Sequence, residues 1–347
     1  MNFGLVLLFR NPPKWRRPFA EIYQERIDLA VRAEEIGFDH FWTNEHHFME
    51  DGFSPSSIAI LSAVAARTTR MRLGPYVLLL PFHNPIRMAE DAATVDIISN
   101  GRLDLAVGPG SRPKEFATFG IPIRQRRQRM YEGLEIIGRC FTEDVFSFKG
   151  DFWTFTDVRM TPKPVQNPLP IYVAAVGEKA LTEAAEHGYH LAGGGISSRS
   201  QIYDDALRRS GRDPRQFRRA ALQIGHLAET REKAWDQAEE HIHYYMSVHF
   251  GMVAESAAND TLKLDTHQDL QVPPIGELRK TGRGPYGPAF IGSPDDVIMM
   301  IENGMAQASI TDIAFCPDLP GMDPRLIRNS VELFAREVIP HFQRSGR

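Results

Sequence analysis

Phe3-Gly4-Leu5-Val6-Leu7-Leu8-Phe9 is an unbroken apolar run of strand length. A strand wetted on one face alternates apolar and polar residues, whereas a parallel strand covered on both faces by helices reads as continuously apolar. Runs of similar length recur near residues 38–43, 71–80, 102–108, 170–175, 189–193, 218–226 and 311–316, with longer amphipathic stretches between them. The repeated β-α order predicts an α/β protein, and eight strands predict closure into a (β/α)8 TIM barrel. The opening run has no basic leader or cleavage site and is too short to cross a bilayer, so it is read as a buried first strand.

The intervening stretches carry apolar stripes at helical spacing. Met130, Leu134, Ile137 and Phe141 share one face after strand 4. Ile22, Leu29, Ala33 and Ile36 do the same in the first helix, with Arg26 interrupting the stripe and Gly37 as the C-cap. Barrels of this kind reach 347 residues as one domain, so 1–347 is read as a single unit. Two insertions break the rhythm, one near 143–169 before strand 5 and one near 251–290 before strand 8. The first alternates around Gly150-Asp151 like a small hairpin. The second, punctuated by Pro273-Pro274, Gly282, Gly284 and Gly287, is read as a lid or active-site loop.

With 42% apolar and 24% charged residues, the chain has ample material for a core. Its net charge is −4 and its basic residues are scattered, which argues against a nucleic-acid partner. Cys140 and Cys316 lie far apart without ligand-like spacing, which suggests reduced thiols and a cytoplasmic setting, with no membrane association.

In a barrel of this type function gathers at the C-terminal ends of the strands. Strand 2 ends in Trp42-Thr43-Asn44-Glu45-His46-His47-Phe48, which sets a carboxylate, two imidazoles and aromatic rings at one mouth position. Neighbouring residues on an extended strand point to opposite faces, so His46 and His47 would not easily share a metal ion. General acid/base chemistry is the sharper reading, and a pair of histidines hydrogen-bonded within a loop is the blander one. Strand 4 runs into Val107-Gly108-Pro109-Gly110-Ser111-Arg112, a turn whose amides could approach a phosphate, although it has the spacing of neither a Walker loop nor a dinucleotide fingerprint. Arg127 on the following helix could pair with a phosphate or be solvated. Ala174-Ala175-Val176-Gly177-Glu178-Lys179 ends strand 5 at a helix N-terminus able to hold an anion.

These stretches resemble the bacterial-luciferase-like flavin-dependent monooxygenases. The resemblance covers most of the chain. It rests on Gly37-Phe38-Asp39 leading to Glu45-His46-His47-Phe48, on Leu80-Pro81-Phe82-His83-Asn84-Pro85-Ile86-Arg87 and on Asp96-Ile97-Ile98-Ser99-Asn100-Gly101-Arg102. Lys114-Glu115-Phe116 with Phe119-Gly120, and Pro162-Lys163-Pro164-Val165-Gln166-Asn167-Pro168, follow in the same order.

The resemblance implies that His46 handles protons around a flavin C4a-peroxide, with Glu45 and His47 orienting it. It also implies a non-proline cis peptide at Tyr76-Val77 under the flavin ring, with Gly108, Ser111 and Ala175 beside the cofactor and Arg127, Gly177 and Glu178 at its phosphate. Tyr76 is bulkier than the small residue of that place. Pro109 stands where some members carry arginine, with Arg112 as a substitute. Further implications are reduced FMN from a separate flavin reductase, O2 as co-substrate, a small apolar organic substrate and a homodimer. An F420-dependent dehydrogenase or reductase on the same barrel is the nearest rival. A flavin-binding protein without activity and a metal hydrolase are the others.

Overall fold

The computed structural model describes residues 1–258 and 270–344. Eight strands occupy the eight apolar runs: β1 (Asn2–Leu7), β2 (His40–Thr43), β3 (Arg72–Pro75), β4 (Leu105–Gly108), β5 (Ile171–Ala174), β6 (His190–Gly193), β7 (Arg219–Leu227) and β8 (Asp312–Cys316). All pair in parallel in the order β3-β2-β1-β8-β7-β6-β5-β4. The ring is completed where Leu78–Leu79, a continuation of β3, pairs with β4. Parallel strands need crossovers, and the helices that provide them cover the outer face. They include α1 (Phe19–Glu35), α2 (Ser57–Ala65), α3 (Pro85–Ile98), α4 (Pro113–Thr118), α5 (Arg126–Thr142), α6 (Glu178–His187), α7 (Ser200–Arg209) and α8 (Arg231–Ala258).

The helical stripes are buried as expected: Met130, Leu134 and Ile137 of α5 all lie in the core. Arg26 does not interrupt the stripe of α1. It is itself buried and pairs at 2.8 Å with Asp318, whose other oxygen accepts the backbone N–H groups of Leu8 and Phe9. A charge is tolerated there because the loop after β8 supplies its partner.

Inside the barrel the Trp42 indole lies edge-on to Tyr76 and Tyr172. It fits because Gly74 has no side chain: a Cβ there would stand 2.1 Å from the Asp104 carbonyl oxygen and 2.6 Å from the indole. Near the N-terminal ends of the strands Asp104 meets Arg72 at 2.5 Å and His40 at 3.2 Å. Burial pushes its carboxyl up, but Arg72 and His40 outweigh that and hold it at about 2.

Both insertions form structure. Phe146–Lys149 and Thr154–Val158 pair as the antiparallel hairpin expected around Gly150-Asp151. The segment 251–290 departs from the reading as one loop. Its first residues continue α8 to Ala258, because Tyr245, Met246, His249 and Val253 extend the inward stripe begun by Trp235, Ala238 and Ile242. Residues 259–269 of that insertion lie outside the described residues. Beyond them, Arg283–Gly284 pairs with Gly287–Pro288, and Phe290–Gly292 adds alongside β7.

Candidate active site

The loop after β2 holds its polar side chains in two separate carboxylate systems. Glu45, buried, has one oxygen 2.9 Å from His47 Nε2 and 2.8 Å from His83 Nε2, while Ser57 Oγ donates to the other at 3.4 Å. Burial pushes the Glu45 carboxyl up, but the two imidazoles outweigh it and hold it at about 2. The second system centres on Glu115, in the first turn of α4 and fully buried. Its Oε1 lies 3.1 Å from His46 Nδ1 and accepts the His47 backbone N–H at 2.9 Å. Burial again raises, while His46, the His47 N–H and Arg112 together lower, so Glu115 stays below the usual carboxylate range.

This arrangement corrects the expectation that Glu45 and His47 orient His46. Glu45 is committed to His47 and His83, and the acid behind His46 comes from a different strand end. The adjacent imidazoles face different partners because neighbouring positions on extended backbone point apart. With Nδ1 on Glu115, His46 Nε2 has no hydrogen bond among the described residues. The Glu115 Oε2 atom is buried and likewise without a hydrogen-bond partner.

At the end of β3 the Tyr76-Val77 peptide is cis. The Tyr76 side chain crosses the barrel, and its hydroxyl lies 2.6 Å from the Gly193 carbonyl oxygen and 2.9 Å from that of Ala220. Burial pushes the phenol well above its usual range, so it remains protonated and donates. Val77 occupies the space a side chain at 108 would need, since a Cβ on Gly108 would meet Val77 Cγ2 at 2.6 Å. Val77 is thus accommodated by glycine at the end of β4.

A cavity of about 640 Å³ opens at this end of the barrel. Its lining includes Ser111, Ala175 and Val176, the glycines Gly193 and Gly194, the charged Arg199 and Arg219, and His249, Val253, Pro285 and Tyr286. The second insertion therefore contributes to closing the cavity. His46 lies within electrostatic reach of His249, whose ring stands edge-on to Tyr286 at 4.8 Å.

The remaining expected residues divide. Gly177 precedes α6, a ten-residue helix that begins at Glu178 and has no side-chain N-cap, which leaves its first N–H groups available. Arg127 is half-buried at the start of α5 and bonded to Glu183 of α6. Arg112 is the residue expected to substitute for an arginine at 109. It is buried against the His47 carbonyl at 3.3 Å and stands 3.6 Å from both Glu115 and Glu255.

Three residues had no role in the sequence reading. Glu115 and His83 sat inside quoted motifs, but nothing in their spacing showed which imidazole each would meet. His249 lies before the second insertion as the sequence bounds it and was not singled out. Among the described residues no group of three or more His, Cys, Asp and Glu is placed to hold a metal ion, and no helix is long and apolar enough to cross a membrane.

A family model for luciferase-like monooxygenases matches residues 1–312. The chain is 36% identical over 172 residues to an F420-dependent glucose-6-phosphate dehydrogenase of Amycolatopsis mediterranei, covering 48% of this chain and 51% of that one. It is 33% identical over 174 residues to the oxygenase component of the flavin-dependent trigonelline monooxygenase of Acinetobacter baylyi, covering 49% and 48%. The chain thus spans about half the length of these curated relatives. The crystal structure of the monooxygenase RslO1 from Streptomyces bottropensis superposes over 99% of this chain and all 100% of that one, with a TM-score of 0.83 and 27% identity. The chain belongs to the luciferase-like monooxygenase family.

Proposed function

We propose that the protein is the oxygenase of a two-component system that uses reduced FMN, delivered by a separate reductase, and O2 to place one oxygen atom on a small apolar organic substrate. The observation that carries this reading is the His46–Glu115 pair after β2, within electrostatic reach of His249 in the wall of the cavity. The cavity volume lies within the span usual for cofactor and ligand pockets. The uncapped start of α6 suits a phosphate, and the unpartnered Glu115 Oε2 marks a polar position left for a ligand or water. Bound reduced FMN would supply the electrons that activate dioxygen.

The chain's own residues have separate tasks. Glu115 fixes the His46 tautomer by holding a proton on Nδ1, which makes Nε2 the nitrogen that takes or returns a proton at the reacting centre. Glu45, His47 and His83 brace the loop from behind. Tyr76, Val77, Gly108, Ser111 and Ala175 would bed the cofactor ring and its chain. The N–H groups that follow Gly177, starting with that of Glu178, would meet the phosphate, together with Arg127 once it is shared away from Glu183. Tyr286 and the end of α8 exclude water.

A reductase-coupled assay tests the reading. With FMN, a reductase and a panel of apolar substrates, the wild type should incorporate oxygen from labelled O2, and His46→Ala should lower turnover by about 10²-fold or more. Equal turnover by His46→Ala would remove the proton-transfer role. The second reading, F420-dependent hydride transfer, draws on the resemblance to the Amycolatopsis enzyme and predicts turnover without O2.

A further inference from the structure

We propose that Phe53 is a positioning residue for His46: its phenyl ring, clamped by the Arg10–Asp51 pair, holds the imidazole in the plane in which Nδ1 meets Glu115. Phe53 thereby serves the proton transfer assigned to His46 above, and its role rests on that reading.

One hydrogen bond does not fix an imidazole. The torsion that turns the ring is soft, and the His46 side chain is 23% exposed, so water competes for Nδ1. A contact on the ring itself supplies the second restraint. The Phe53 ring lies 4.7 Å from that of His46, tilted by 35°, and is buried. An imidazole packed against a buried ring cannot turn freely without displacing it.

A loop phenyl positions its neighbour only if it is itself held, and Phe53 is. The Arg10 guanidinium lies 4.4 Å over the Phe53 ring. Arg10 belongs to the segment that follows β1, is buried, and donates through Nε to Asp51 Oδ2 at 2.6 Å. The Asp51 carbonyl accepts the Asn11 N–H at 2.8 Å, and the Ser54 hydroxyl donates to the Leu8 carbonyl at 2.7 Å. The residues flanking Phe53 are thus tied to the same segment that carries Arg10. The rings of Tyr244 and Tyr245 of α8 stand 5.6 and 5.4 Å from the guanidinium and enclose it. A buried ion pair contributes little net stability, and the geometry fixed here is that of a ring touching His46.

Nitrogen-15 histidine NMR of the wild-type protein, without flavin, reads the ring directly. At about pH 9, above the ordinary histidine range, the His46 signal, assigned by its loss in His46→Gln, should be that of the Nδ1–H tautomer. Phe53→Leu should convert it to a mixture rich in the Nε2–H form that a free imidazole side chain prefers. The same variant should lower kcat in the reductase-coupled assay by about tenfold, with KM within about twofold of wild type. Phe53→Tyr, which keeps the ring, should retain the wild-type signal and at least about half of kcat. Arg10→Lys keeps the charge facing Asp51 but loses the planar face, and should shift the signal in the direction of Phe53→Leu. Phe53→Met replaces the leucine variant should that one fail to fold. The proposal is overturned if the wild-type ring is not in the Nδ1–H form, if Phe53→Leu keeps that form, or if Phe53→Tyr loses it as fully as Phe53→Leu does. The tautomer is read without flavin or dioxygen, so a wild type with the Nδ1–H signal but no oxygen incorporation would defeat the oxygenase reading and leave the positioning contact standing.

Discussion

The Glu115 carboxylate receives His46 Nδ1 at 3.1 Å and, through the same oxygen, the backbone N–H of His47 at 2.9 Å, so one buried acid at the start of α4 fixes both the ring and the backbone of the loop after β2. Glu115→Gln keeps the size but offers an amide to the imidazole. Turnover in the reductase-coupled assay should fall by about tenfold to a hundredfold, with KM changed far less, as expected for an outer partner of an active imidazole. An unchanged kcat would show that the acid only shapes the loop.

Glu45 gives a prediction about pH. Its carboxyl stands at about 2 in the fold against an ordinary 4.5, a depressed value. The stabilisation is therefore fully present above about pH 4.5 and is lost as the pH falls toward 2. Denaturation curves between neutral pH and pH 3 should show a steep acid limb. Glu45→Gln should be less stable at pH 7 by roughly 1–3 kcal/mol and should flatten that limb. A variant with the wild-type acid limb would assign the loss to other carboxylates.

Gly108 and Val77 should behave as a coupled pair. Gly108→Ala puts a methyl 2.6 Å from Val77 Cγ2, on a side chain with little rotamer freedom. The single variant should lose about 1–3 kcal/mol in chemical denaturation. Combining it with Val77→Ala should recover most of that, and strict additivity of the two changes would contradict the contact.

Asp318 supports a fold contact remote from chemistry. It neutralises buried Arg26 and caps two backbone N–H groups at the end of β1. Asp318→Ala leaves the guanidinium without its main partner and should cost about 3–5 kcal/mol, read as a fall in the denaturation midpoint. A loss below about 1 kcal/mol would mean that Arg26 reaches solvent instead.

The barrel was legible in the sequence because a buried parallel strand has a signature that needs no partner to recognise: all eight apolar runs became β1 to β8. Motif residues of the Asp96–Arg102 stretch also proved to be structural. Arg102 donates to the carbonyls of Ala65, Thr68 and Met71, and Asp96 takes the Gln166 amide, stitching α2, α3 and the link into β5 together. The candidate site was legible only in part. His46, Glu45 and His47 announce themselves as a cluster, but which acid meets which ring depends on how β2 and β4 approach across the barrel, and that is a long-range contact. His249 was hidden for a different reason: its helical stripe is mostly core, and only the fold of the second insertion turns that end of α8 into a cavity wall.

Anaerobic equilibrium titration of the wild-type protein with reduced FMN and with reduced F420 decides whether the barrel-mouth cavity holds reduced FMN, as proposed. Reduced FMN should bind saturably, more weakly after substitution of Arg127 or of the residues that follow Gly177, and F420 should show little affinity. Tight binding of reduced F420 and none of reduced FMN would contradict the proposal.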